Sequence, residues 1–325
     1  MRMRELRRSP RTQGPSTTDT GLVALREDAA IVEREDAGIL RLTGKDPVGM
    51  LNAVLTNSVA EDANRGAYAL LLNPKGRVQT DLRVLKAGNA VLIVTEPEGV
   101  DAARETLGRY APFSRVTFED LSETWSVLGL YGPRTKEILD APDLAEHGTR
   151  ETEIGDERLL AAGVSVPVAG YDLIGLSETV ARAGDELASR GAVPASSDAY
   201  ETVRVEAAIP RFGADLTPDN FPGEAGILDR AVDFSKGCYP GQETVARMRY
   251  RGHPNRTLYK LSSSDSLAAG TPIIQAEKTV GTVTSVAPIP TNGKTFALGY
   301  LSRKTDLDKP LTAGDIELRV CGEAG

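Results

Sequence analysis

Residues 66–97 read GAYALLLNPKGRVQTDLRVLKAGNAVLIVTEP. Three apolar runs are broken at Asn73-Pro74-Lys75-Gly76 and at Ala87-Gly88-Asn89, so the stretch predicts three strands joined by hairpin-like turns. Upstream, GILRLTG (38–44) is a further short strand. After it Asp46 stands as an N-cap and Pro47 at the first helical position, with Val48, Met50, Leu51, Val54 and Leu55 at near-helical spacing. Downstream, a helix is expected over roughly 98 to 109. The order strand, helix, strand, strand, helix argues for an α+β sandwich rather than a doubly wound sheet.

The same grammar returns in a second unit. TWSVLGLYG is a strand, PRTKEILD a helix opened by Pro133, and LLAAGVSVPVAGYDLIGL a strand pair. SETVARAGDELASRG is a helix with Ser177 as its cap and Gly191 just past its end. From Arg256 the texture changes to short strands between Gly, Pro and Asp turns, the mark of a small all-β barrel or sandwich. The expected division is a disordered basic tail over 1–20, α+β domains over 21–115 and 116–255, and a β-barrel over 256–325.

Composition narrows the function classes. The 325 residues are 40% hydrophobic and 26% charged, which describes an ordinary globular protein. A net charge of -8 argues against a chain built to coat nucleic acid, and no direct nucleic-acid partner is expected. The first eleven residues carry five arginines with no apolar region after them, so no signal peptide is read there. No run of eighteen apolar residues exists, and no membrane partner is expected. Two cysteines, Cys238 and Cys321, without CxxC spacing, fit a reducing cytoplasm better than a disulfide framework or a metal cage.

No glycine-rich phosphate loop is present, since GKDPVGM lacks the required order. His147 and His253 have no ligand-like spacing and read as surface or hydrogen-bonding residues, and no G-x-S-x-G elbow supports a serine triad. The most informative segment is KGCYPGQE, Lys236 to Glu243. A helix over about 240–251 would put Glu243, Arg247 and Arg251 on one face and Cys238 just before its positive N-terminus beside Lys236, which favours a thiolate. A strand over 245–251 with Arg247, Arg249 and Arg251 on one face is the competing reading. Cys238 itself is either such a thiol or a small buried residue in a glycine-bounded turn. Among carboxylates, Asp81 follows a turn and Asp172 lies in GYDLIG. Glu206, in an apolar context, must pair with Arg204 or Arg211 or meet a ligand.

KGCYPGQE, with VAR and RG after it, strongly resembles the signature of the YgfZ family of folate-binding proteins. LLNPKGRVQTDLRV, YETVRVEAAIPRFGADLTPDNFPGEAGI, GTVTSV and ALGYL extend the resemblance, in order, along nearly the whole chain. The wider superfamily includes the glycine-cleavage T-protein, a tetrahydrofolate-dependent aminomethyltransferase. The resemblance implies an α+β, T-protein-like, three-domain cloverleaf around a central folate channel, with a terminal barrel. It implies tetrahydrofolate, or a one-carbon derivative, as ligand, and iron-sulfur client proteins, among them a radical enzyme that modifies tRNA, as partners. Cys238 is then the catalytic thiol within a motif of Lys236, Gly237, Tyr239, Gly241, Gln242 and Glu243. Among the expected folate-binding residues, Asp172 or Glu206 suits the pterin, Asp81 the catalytic end of the folate pocket, and Arg247 or Arg251 the glutamate tail. Two departures stand out: Thr80-Asp81 replaces a paired Asp-Asp, which counts against aminomethyl transfer, and Asp172 replaces a glutamate. Alternatives to the iron-sulfur role are a folate-dependent aminomethyl or one-carbon transferase and a non-catalytic scaffold that docks clients.

Overall fold

The computed structural model describes residues 19–34, 37–61, 64–141, 143–250 and 252–325. The expected basic tail, up to residue 18, and Arg251 lie outside the described residues. At Asp19 the chain already caps a helix, its carboxylate accepting from Leu22 N–H at 2.8 Å. That helix is α1 (Thr20–Glu27), followed by β1 (Ala30–Arg34) and β2 (Gly38–Gly44). α2 (Pro47–Val54) starts as its signals predict, with the Asp46 carboxylate accepting from Gly49 N–H at 2.8 Å. The 66–97 stretch forms β3 (Ala67–Leu72), β4 (Val78–Ala87) and β5 (Ala90–Thr95), and α3 (Val100–Tyr110) and β6 (Val116–Asp120) follow.

The second unit runs β7 (Trp125–Tyr131), a five-residue α4 (Thr135–Leu139), β8 (Thr149–Ile154), β9 (Glu157–Val164), β10 (Gly170–Leu176), α5 (Ser177–Ser189), β11 (Val193–Pro194) and α6 (Ser197–Glu206). Ser177 is not the cap of α5. Leu176 holds that position, and the Ser177 hydroxyl instead donates to Thr124 O at 3.1 Å. A largely irregular segment holding α7 (Leu228–Ala231) then leads to α8 (Gln242–Tyr250). The strand reading of 245–251 is therefore replaced by the helix, whose good formers and Glu243–Arg247 pair favour it. Strands β12 (Arg256–Ser263), β13 (Pro272–Gln275), β14 (Lys278–Val286), β15 (Thr295–Ser302), β16 (Leu311–Ala313) and β17 (Ile316–Glu323) close into a barrel.

The α+β expectation with a small terminal barrel holds. One sheet has the order β3-β4-β5-β2-β6 and the other β11-β1-β7-β10-β9-β8. Two strands cross the division expected at 115/116. β1 joins the second sheet, in register with β7 from Ala30↔Tyr131 to Arg34↔Val127, and β6 joins the first beside β2. A linear cut cannot anticipate such partners, because edge pairing is decided by long-range register.

α2 and α3 cover one face of the first sheet, burying Leu40, Leu42, Leu51, Val84, Ile93 and Leu107. α5 covers the outer face of the second, its Val180 and Leu187 packed with Leu128 and Leu173. The remaining two faces pack on each other, Ile39, Leu85, Leu92 and Val94 against Val127, Ala162 and Ile174. Among the described residues no helix is long and apolar enough to cross a membrane.

Candidate functional site

The layer between the sheets changes character along the strands. Side chains alternate faces with a period of two, so the strand residues facing the gap can be read in steps of two. On β4 the series Leu85, Arg83, Asp81 runs from apolar to charged, and on β5 Leu92 and Val94 are followed by Glu96. On β10 Ile174 gives way to Asp172, and on β7 Val127 gives way, past Gly129, to Tyr131. Arg34 ends β1. One end of the layer is a dry core, and the other is a cavity of about 130 Å³ ringed by ionisable groups.

Asp172 is the anchor of that ring and has no exposed surface. Arg83 Nη1 and the Tyr131 hydroxyl both donate to its carboxylate, and Arg34 Nη1 lies 3.9 Å from it. A buried carboxylate needs such partners to remain charged. Arg83 also donates to Gly163 O at 3.1 Å and to His147 Nδ1 at 3.3 Å. Arg34 pairs with Glu96 at 3.1 Å; burial opposes its charge, but Glu96 leads the groups that hold its pKa well above the ordinary value. Burial, with the Arg83 and Arg230 charges, pushes His147 down to about 3, so its ring is neutral and accepts from Arg83. Tyr131 stacks on Tyr200 of α6 at 5.3 Å between centroids. Gly129, paired across β7–β10 with Asp172, supplies the space: a methyl there would sit 2.1 Å from Cε2 of Tyr131.

Asp81 accepts from the Tyr68 hydroxyl at 2.8 Å. Burial, reinforced by the charge of Glu96, raises its pKa to about 7 from the ordinary 3.8. The native state thus holds a proton that the unfolded chain releases near pH 4. The corresponding stability is fully present below pH 3.8 and is lost as pH rises through 7. Asp81→Asn keeps an acceptor for Tyr68 and has no charge to bury. Its stability relative to the parent should therefore grow between pH 4 and 7 and level off above, by on the order of 2–4 kcal/mol. Urea unfolding of both proteins across that range checks this; a difference independent of pH would contradict it. Thr80, the neighbour, points away: its hydroxyl bonds Thr95 and the Asp81 carbonyl on the helix side of the sheet.

The KGCYPGQE segment is strapped to the first unit at three points. Lys236 Nζ donates to Asn52 O, Leu55 O and Asn57 O at 3.0, 2.5 and 3.2 Å, at the C-terminal end of α2, where the helix dipole favours a cation. Burial nevertheless lowers its pKa to about 8. The Tyr239 ring is buried with Leu70, Leu72 and Val78. Gly241, at φ +82°, lets the strap touch the β3–β4 turn, since a methyl there would lie 2.7 Å from Asn73 O. Between these anchors Gly237 and Cys238 face outward, so the buried reading of Cys238 does not hold. Gln242 opens α8, and Glu243, on its outer side, is exposed.

Of the expected ligand residues, the cavity gathers Asp81 and Asp172 but not Glu206 or Arg247. Glu206 pairs with neither Arg204 nor Arg211. Its Oε2 accepts from Arg26 Nη2 of α1 at 2.5 Å. Arg247 is exposed and pairs with Glu243 at 2.9 Å. Arg211, beside Ile209 and Pro210, is the most exposed of the arginines lining the cavity and marks its open end. Arg34, Arg83, Glu96, Tyr131, His147 and Arg211 were missed. The alternation Asp81-Leu82-Arg83-Val84-Leu85 did carry a signal, because charged residues on one face of an otherwise apolar strand need a polar space to face.

Residues 16–236 match the GCVT N-terminal domain, and 256–323 match the glycine cleavage T-protein C-terminal barrel domain. An aminomethyltransferase of Moorella thermoacetica is 30% identical over 92% of this chain and 84% of its own. A tRNA-modifying protein YgfZ of Yersinia pestis is 28% identical over 73% of this chain and 72% of its own. The aminomethyltransferase T of the Bartonella henselae glycine cleavage system superposes with a TM-score of 0.78 at 19% identity, over 93% of this chain and 87% of that one, and so shares the fold. The sheet pair falls within the first of these family matches and the barrel within the second, and the chain belongs to the glycine cleavage T-protein superfamily, which also holds its YgfZ relatives.

Proposed function

We propose that the chain is a cytoplasmic tetrahydrofolate-binding protein of the YgfZ kind that supports assembly or repair of iron-sulfur client proteins, and through them tRNA modification. The observation that carries the folate reading is Asp172, a buried carboxylate at the polar end of an otherwise apolar gap. The amino and ring N–H edge of a pterin is a two-donor surface for such a group, the pattern Arg83 and Tyr131 now present to it. Val94, Val164, Pro167 and Ile209 offer an apolar slot for the benzoyl ring, and Arg211 a cation for the tail carboxylates. Pockets for such ligands span roughly 300–1,000 Å³, so the Arg34 and Arg83 side chains must swing aside to enlarge the present cavity.

Asp81, titrating near 7, supports a second reading as a folate-dependent aminomethyl or one-carbon transferase, since a carboxyl that holds and releases a proton at neutrality suits acid–base work. Thr80, turned away and without a carboxylate, weighs against it. No turnover of methylamine-type or methyl donors with folate would remove that reading.

Calorimetric titration of the full chain with tetrahydrofolate and its 5-formyl form is the direct test, and absence of saturable heat with both overturns the proposal. Because Cys238 is exposed between two anchors that do not involve its side chain, Cys238→Ser should fold and bind folate as the parent does. In a complemented deletion strain it should leave client iron-sulfur enzymes at reduced activity. Full restoration by the serine variant would refute the thiol's role.

A further inference from the structure

The inter-sheet cavity ends, away from Arg211, at a partition formed by Tyr68, Glu146, His147 and Arg230. Those four residues also form the floor of a second depression, of about 550 Å³, which opens on the outer surface between Asn57 and Ser58 on one side and Arg65 and Gly66 on the other. The wall between the two spaces is therefore a single layer of side chains. It is not packed core: Glu146 and Arg230 are 34% and 28% exposed and pair at 3.1 Å.

The layer is built to move at one residue. The Arg230 backbone is held, its carbonyl accepting from Asn57 Nδ2 at 3.1 Å and its N–H donating to Ile227 O at 3.2 Å. Its guanidinium, 28% exposed, lies between the Glu146 carboxylate and the Tyr68 ring, 5.3 Å from the centroid. His147 is fixed in place by its backbone, which donates to Gly163 O at 2.9 Å and accepts from Gly66 N–H at 3.1 Å, at a left-handed φ of 60° that a non-glycine residue rarely adopts. Tyr68 bonds Asp81 on the cavity side. At the outer rim Arg65 is exposed and has no carboxylate partner among the described residues. Of the two acidic residues among the described ones lining it, Asp229 is taken by Arg249 at 2.8 Å and Glu146 by Arg230. Both acidic lining groups are thus paired, and Arg65 is the lining cation without a carboxylate partner among the described residues.

We propose that this depression is a second ligand site, taking a small molecule that bears a carboxylate or phosphate on Arg65 and Arg230. The incoming oxyanion competes with Glu146 for the Arg230 guanidinium. As that ion pair exchanges, the partition opens towards Tyr68 and Asp81. The oxyanion group thus docks outside while the rest of the molecule reaches the cavity from the side opposite Arg211. That the other mouth belongs to folate rests on the function proposed above; the anion site itself does not.

Inorganic phosphate and acetate, each titrated at constant ionic strength against chloride, are the probes, with the amide signals of Gly66 and Ala67 in the full chain as readout. Saturable shifts are expected with at least one of them, and the stronger ligand assigns the class. Arg65→Gln should weaken saturation about fivefold, the scale of one guanidinium contact at a half-exposed site. Glu146→Gln, which removes the internal competitor, should tighten it by a similar factor. Linear drift without saturation, or indifference to both substitutions, overturns the site. So does displacement of the bound anion by tetrahydrofolate, which would make the depression the exit of the folate tail. Anion binding that persists while tetrahydrofolate fails to bind counts against the folate reading and leaves this site standing.

Discussion

Asp172→Asn is expected to lower tetrahydrofolate affinity about 10- to 100-fold while the protein stays folded. A charge-assisted hydrogen bond contributes about 1.5–3 kcal/mol, and the amide offers a donor edge one acceptor in place of two. Folding survives because Arg83 keeps Gly163 O and His147 Nδ1, and the Tyr131 hydroxyl keeps the Asn carbonyl as acceptor. Gly129→Ala tests the same carboxylate from the opposite side of the β7–β10 pairing. Its methyl would occupy the place of the Tyr131 ring and expel the phenol from Asp172, so the folded state should lose about 1.5–3 kcal/mol, one hydrogen bond to a charged group. Calorimetric titration alongside urea unfolding separates binding from stability. Unchanged folate affinity in a folded Asp172→Asn protein would remove Asp172 from the ligand site.

Arg204→Met should destabilise the chain by about 3–5 kcal/mol, the range found when one partner of a buried ion pair is removed. Arg204, 4% exposed on α6, donates to Asp215 Oδ2 at 2.8 Å, to Ile209 O at 2.5 Å, to Glu201 at 2.5 and 2.8 Å and to Ser285 of the barrel at 2.8 Å. Asp215, 1% exposed, accepts as well from the Thr284 hydroxyl at 2.5 Å and from Arg211 N–H at 3.1 Å, while its carbonyl accepts from Tyr300. This cluster ties α6, the segment after it and the barrel together. Without Arg204 the Asp215 carboxylate is a buried charge with no cation. The double variant Arg204→Met with Asp215→Asn should therefore recover about half the loss, because the uncompensated charge rather than the missing contact is the costly part. Urea midpoints of the four proteins of this cycle measure it. A single-variant loss below about 1 kcal/mol, or a double variant no more stable than Arg204→Met, would show the pair to be incidental.

How far the sequence could be read varied with the range of the interaction responsible. Asp46-Pro47 marked the start of α2 because capping is settled within three residues, and Asn73-Pro74-Lys75-Gly76 marked the β3–β4 turn because turn chemistry is settled within four. The Arg256 boundary was visible as a change of texture, and β12 begins there. The partners of charged residues were not readable. Glu206 looked ready for Arg204 or Arg211 on proximity along the chain, yet on α6 the residue two positions before it faces the opposite way and meets Asp215, while Glu206 meets Arg26. Lys236 looked like a neighbour for the Cys238 thiol, but its ammonium reaches the end of a helix some 180 residues earlier.

By itself the sequence determined β2 to β5, α2 and α3, the terminal barrel and the superfamily, since these follow from period, turn chemistry and motif order, whereas α1, β1, β6 and α6 were not anticipated. Only the tertiary structure decided that β1 and β6 exchange sheets and that two particular sheet faces meet. It therefore decided that Arg34, Asp81, Arg83, Glu96, Tyr131 and Asp172, up to 138 positions apart, share one cavity. Alternation along a strand says which residues share a face, but which face it meets is a matter of long-range packing that no local pattern encodes.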